Sequence, residues 1–279
     1  MRRLVGGLFK TAATASAGTS AGYLAYSFDQ RKQMKSEFLS ISEKHPSLKQ
    51  ESFDITKLPE IKPERMQPGH WKDLEDDKEY VVSLALKPAF EEQMGKDAFV
   101  HASLAIRSAD QKDGGFYVFG RQSPYSSTVQ DQPEPVYLLE TVIGNEKNYL
   151  MPGVLSNFKY VENGATLTGA EIKAAMSKGQ EICDSQLCDM LRSNCCTAAV
   201  YVLNNMTIEV GKRKEDKDSV STLKNLFMMM VQGATVNFSQ GVSNNPIVRK
   251  SIKDAQASVD KTLQEEQKKE SQSKIKPGT

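Results

Sequence analysis

Ala98-Phe99-Val100-His101-Ala102-Ser103-Leu104-Ala105-Ile106-Arg107 is followed by the turn residues Ser108-Ala109-Asp110-Gln111-Lys112-Asp113-Gly114-Gly115 and by the return Phe116-Tyr117-Val118-Phe119-Gly120. Two apolar runs around a Gly- and Asp-rich break read as a hairpin with a long loop. Along the first strand His101 shares a face with Phe99, Ser103 and Ala105, and Val100, Ala102, Leu104 and Ile106 share the other. Upstream, Tyr80-Val81-Val82-Ser83-Leu84-Ala85-Leu86 is a strand that stops before Pro88. Val136 to Ile143 and Gly153 to Val161 are further strand candidates.

Helical periods begin where the strands end. Thr166 or Thr168 caps a helix through Ile172, Ala175 and Met176, with Glu171 completing a capping box behind Thr168. Asn194 caps a second helix from Cys195 to about Asn204, with Ala199, Val202 and Leu203 on its buried face. Leu223, Leu226, Phe227, Met230 and Val231 mark a third, in which the Met228-Met229-Met230 triplet reads as core filler. Beyond Pro246, the spacing of Ile252, Ala255, Val259 and Leu263 gives a C-terminal amphipathic helix. Strands first and helices after make the fold class α+β, an antiparallel sheet packed on helices.

The expected organisation is a segment 1–29, a polar linker 30–75, an α+β domain 76–245, and a charged helix with a disordered tail over 246–279. The first acidic residue is Asp29; Arg2, Arg3 and Lys10 precede it among Ala, Ser, Thr and Gly. Four readings of this segment stand: a weakly apolar membrane anchor with Gly18-x-x-x-Gly22 spacing, a secretory signal ending near Ala15-Ser16-Ala17, a mitochondrial-type presequence, and a disordered tail. The anchor, helical and membrane-associated, is preferred. Residues 30–75 hold Pro46, Pro59, Pro63 and Pro68 without a sustained period, as a linker or wrapping arm would. The run Lys212 to Asp218 reads as a solvated connector.

A net charge of +1, from 36 basic and 35 acidic residues, supplies no field to gather nucleic acid, so nucleic acid is not an expected partner. Cys183, Cys188, Cys195 and Cys196 crowd into one window, whereas a disulfide framework would spread them along the chain; a reducing compartment is expected for the domain. Their C-x4-C-x6-C-C spacing lacks the paired C-x2-C of structural zinc, and neither metal nor cofactor is expected.

A thiol becomes a nucleophile when ionised, and a helix N-terminus favours the thiolate through its exposed N–H groups and dipole. Cys195 stands one position past the Asn194 cap, where the same N–H groups can meet a developing oxyanion. Of the three histidines, His45 lies in the polar arm, His70 beside Pro68 and Gly69, and His101 in an apolar strand. His101 is therefore the candidate base, and Gln122, near the residue opposite it on the return strand, is the candidate to orient the imidazole. The adjacent Cys196 leaves the choice of nucleophile open.

The order of these parts, with Leu187-Cys188-Asp189-Met190-Leu191-Arg192-Ser193-Asn194-Cys195-Cys196-Thr197 after the histidine strand, resembles the circularly permuted branch of the NlpC/P60 papain-like superfamily. That branch includes lecithin:retinol acyltransferase-like and PPPDE-type proteins. The resemblance covers about Tyr80 to Leu203. It implies a papain-like fold in permuted order, Cys195 as nucleophile and His101 as general base in a thiol protease, hydrolase or acyltransferase. Its substrate would be a peptide, a protein or a lipid acyl ester. The alternative is a membrane-tethered interaction protein of the same fold without the chemistry. The run Glu265-Glu266-Gln267-Lys268-Lys269-Glu270 after an amphipathic helix resembles the export signal of bacterial type IV secreted effectors.

Overall fold

The computed structural model describes residues 55–88, 100–111, 114–121, 143–145, 158–186, 193–213, 216–232 and 245–274. The N-terminal segment 1–29, residues 30–54, Gln122, Cys188, and most of the two strand candidates 136–143 and 153–161 lie outside them. The fold is α+β. Its strands are β1 (Glu60–Ile61), β2 (Glu79–Pro88), β3 (Val100–Ser108), β4 (Tyr117–Arg121), β5 (Ile143–Asn145), β6 (Phe158–Tyr160) and β7 (Ala165–Thr168). They form one sheet in the order β1-β6-β2-β3-β4-β5, with β7 also paired to β2, and every pairing of these strands is antiparallel.

Register explains why β2 and β3 read as almost unbroken apolar runs. Val82 faces Ile106, Leu84 faces Leu104 and Leu86 faces Ala102, and these side chains join Phe119 in the main core beneath the helices. The opposite face carries Ala85, Ala105 and Val118, covered by Ile61, Met66, Phe116 and Phe158. Both faces are buried, so hydrophobicity alternates little along the strands. His101 and Ser103 lie on this second face by the two-residue period, as the sequence implies.

Residues expected to be a linker or wrapping arm enter both layers, Ile61 and Met66 in the cover of the second face and Trp71 and Leu74 in the main core. Ile61, Met66, Trp71 and Leu74 are all buried, and Gln67 N–H and Phe116 N–H close a reciprocal pair of 2.7 Å bonds onto Phe116 and Arg65 carbonyls. The described part of the arm is thus built into the fold, ahead of the boundary expected at residue 76.

Among the described residues the helices are α1 (Gly169–Ser185), α2 (Cys195–Gly211), α3 (Lys217–Gln232) and α4 (Pro246–Lys274); the first three pack against the sheet, and α4 packs mainly on α2. Helix α1 starts on the expected capping box, Thr168 accepting from Glu171 N–H while Glu171 accepts from Thr168 N–H at 2.9 Å. Thr166, the other cap weighed, lies in β7 instead. Helix α2 is apolar on nearly all sides because α1, α3, α4 and β3 surround it. It runs a further two turns past Asn204. The polar residues that suggested an end are satisfied inside: Asn204 Nδ2 donates to Ser251 Oγ at 3.2 Å, and Thr207 Oγ1 to Leu203 O at 2.9 Å.

In α3 the expected stripe is buried at Leu223, Leu226, Phe227 and Met230, and Met228 joins it as core filler. The 212–218 run is less of a solvated connector than its charge suggests. Arg213 pairs with Glu171 and, at 3.2 Å, with Asp216, which holds its guanidinium above the usual arginine range; Lys217 already belongs to α3. Helix α4 is capped by Asn245 and buries Val248, Ile252, Ala255 and Val259.

Gly169 opens α1 directly against the turn that precedes β2, with Gly169 N–H bonded to Lys78 O at 2.9 Å and Ala170 N–H to Asp76 O at 3.0 Å. A methyl group there would stand 2.0 Å from Glu75 O, a backbone atom that cannot move alone. Gly169→Ala is expected to lower stability by about 1–3 kcal/mol, read as a shift of the urea midpoint.

Candidate active site

The site forms where α2 begins at the leading end of β3. Asn194 Oδ1 accepts from Thr197 N–H at 3.1 Å, and Thr197 Oγ1 accepts from Asn194 N–H at 3.3 Å, a reciprocal cap that fixes the first turn. The β3–β4 ladder covers Leu104 to Ile106, and the start of α2 docks on the β3 edge beyond it. Cys195 Sγ and Cys196 Sγ lie 3.9 and 3.4 Å from Val100 O, and Ala102 N–H is turned to Cys195.

The two neighbours differ in access. Cys195 is half-buried and Cys196 fully buried, so Cys195 is the more accessible of the two. The Cys195 thiol is held well below the ordinary thiol range. The largest cause is the hydrogen-bonding contact with the Cys196 thiol; the charge and hydrogen bond of His101 and the Ala102 N–H act the same way, while burial opposes them. Burial thus distinguishes the two residues that sequence left equivalent, Cys196 lying inside with its thiol donating to Val100 O.

His101 sits opposite Lys87 of β2, half-buried, with its ring 5.9 Å from that of Phe158. Its Nε2 is 3.3 Å from Ser103 Oγ, and Ser103 is fully buried. The chain thus brings together Cys195 and His101, 94 positions apart in sequence, through the seating of one helix start on one strand end.

No family model, curated protein or solved structure matches this chain.

What the arrangement can do follows from its own chemistry. A partly exposed thiol of lowered pKa beside an imidazole is equipped for nucleophilic attack, and first-turn N–H groups at a helix start can receive negative charge on an adding oxygen. Gln122, expected to orient the imidazole, lies outside the described residues. Two residues that the sequence reading did not assign stand closer to the task. Ser103 bonds the ring directly, and its position two residues along the same strand face was the available signal. Arg121, next to Gln122, is buried behind the cysteine helix and gave no sequence signal, because arginine is seldom interior.

The other described histidine has local work. His70 caps a short 3-10 turn, its Nδ1 accepting from Lys72 N–H at 3.1 Å. It borders a polar cleft of about 310 Å³ with Asp73, Glu75, Lys78 and Ser108, at the opposite end of β3 from His101. Among the described residues no group of three or more His, Cys, Asp or Glu side chains is placed to hold a metal ion.

Proposed function

We propose that the domain is a cysteine-dependent hydrolase or acyltransferase in which Cys195 attacks an amide, thioester or lipid ester carbonyl. The observation that carries this reading is the pairing of Cys195, at a capped helix start, with His101 on the adjoining strand end, with the thiol pKa lowered. The order histidine strand, hairpin, cysteine helix adds the resemblance to the permuted NlpC/P60 branch.

In this reading the Cys195 thiolate adds to the carbonyl carbon, and the carbonyl electron pair moves onto oxygen, facing the N–H groups of the first turn. Collapse of the adduct expels the amine, thiol or alcohol, which takes its proton from the His101 imidazolium. The thioester left on Cys195 is then attacked by water or by an acceptor nucleophile, whose proton His101 removes. Ser103 holds the ring in the required orientation throughout.

The membrane-anchor reading of residues 1–29 favours lipid or membrane-protein substrates. Among the described residues no helix is long and apolar enough to cross a membrane.

The test is to trap the intermediate. The full chain is incubated with a panel of activated acyl esters, thioesters and peptide amides, quenched in acid and mapped by mass spectrometry. The expected result is one acyl group on Cys195, absent in Cys195→Ala. Acylation confined to lysines, or unchanged in Cys195→Ala, would sink the enzyme reading in favour of an interaction protein.

A further inference from the structure

Arg121 ends β4 with a side chain only 2% exposed, and its guanidinium joins β4 to the end of α1 and the approach to α2. Nη1 donates to Ser193 Oγ, directly before the Asn194 cap. Nη2 donates to Gln186 O and, at 3.3 Å, to Cys183 O, where α1 ends and its last carbonyls carry the negative end of the helix dipole. Gln186 extends the linkage, its Oε1 accepting from Asn245 Nδ2 at 2.6 Å, at the start of α4.

An interior charge is costly unless all its donors are used, and apolar side chains could have filled the same volume. The planar fork of arginine supplies what they could not: fixed donors at set angles to several acceptors. The Asn194 cap shapes the first turn of α2 but does not fix where that turn sits on the sheet. Ser193 lies two residues from Cys195, and its tether runs to β4, the strand hydrogen-bonded to the one that carries His101.

We infer that Arg121 is a positioning residue for the cysteine site, with Ser193 as the contact through which it sets Cys195 against His101. This rests on the Cys195–His101 reading above. The linkage runs through Arg121, Ser193, Gln186 and the Cys183 carbonyl, so it can be cut without removing the thiol or the imidazole.

The experiment compares wild type, Ser193→Ala, Ser193→Thr and Arg121→Lys by the rate of iodoacetamide labelling at Cys195 across pH, beside each protein's urea midpoint. Ser193→Ala leaves both α1 carbonyls bonded to Arg121 but removes the partner of one buried N–H, so the midpoint should fall modestly while the protein stays folded below its transition. The thiol pKa should nevertheless rise, with labelling at mildly acidic pH falling roughly tenfold, because an ångström of misplacement is costly in such a pair. Ser193→Thr, which keeps the hydroxyl, should restore it; Arg121→Lys, which keeps the charge but loses the fork, should not. An unchanged pH profile in Ser193→Ala would overturn the inference, as would a loss of labelling that only tracks a fallen midpoint. A wild type that labels as an ordinary thiol would instead overturn the underlying Cys–His reading.

Discussion

Replacing His101 with alanine should slow the labelling of Cys195 by roughly tenfold at about pH 6, and should lower turnover of any acyl substrate by about 10²–10⁴-fold. The two effects should differ because the proposed mechanism gives His101 two tasks. Its charge and hydrogen bond help to hold the thiol ionised, and each unit by which the thiol pKa climbs back removes tenfold of the thiolate in the acid range. Cys196 is the larger cause of the lowering, so His101→Ala alone should leave part of it; His101→Ala with Cys196→Ala should bring Cys195 nearer to a free thiol. In the proposed mechanism the leaving group takes its proton from His101, and there the loss should be greater. Equal losses in labelling and turnover would mean that His101 acts only on the charge of the thiol.

Leu203→Ala should destabilise the domain by about 2–5 kcal/mol, the largest loss of stability expected here from a single truncation. Leu203 is fully buried on α2, the helix enclosed by α1, α3, α4 and β3, so its neighbours have little room to collapse into the space left. The urea midpoint should fall with the slope unchanged. Leu203 is eight residues along α2 from Cys195, about 12 Å at helical rise, so thiol reactivity below the transition should persist. A loss under 1 kcal/mol would contradict the central placement of α2.

The depressed thiol also predicts a sign for stability against pH. A thiol whose pKa is lower folded than unfolded contributes stability that is fully present above the ordinary thiol range and is lost as pH falls through the folded value. His101→Ala should reduce that contribution.

Much of this was legible locally. The β2 and β3 runs, the hairpin return and the Thr168 and Asn194 caps depend on residues a few positions apart, and the local rules found them. The facing of His101 and Ser103 followed from strand period alone. What escaped depends on distant partners. β1 and β7 are two and four residues long, too short to show a period, and exist because β6 and β2 offer edges to them. The arm reads as polar, yet it buries Ile61 and Met66 in the second-face cluster and Trp71 and Leu74 in the main core, at spacings that do not repeat. Arg213 looked solvated until Glu171, already part of a helix cap 42 positions away, proved to be its partner. Arg121 escaped for the same reason, since only the meeting of β4, α1 and α2 makes an interior arginine affordable there.

The most direct test of the Cys195–His101 site is the pH dependence of iodoacetamide labelling, resolved cysteine by cysteine in the native full chain. Cys195 should stay reactive well below the ordinary thiol pKa of about 8.5 while the buried Cys183 and Cys196 remain slow. A Cys195 rate that falls tenfold per pH unit from that value downward, unchanged in His101→Ala, would contradict the account.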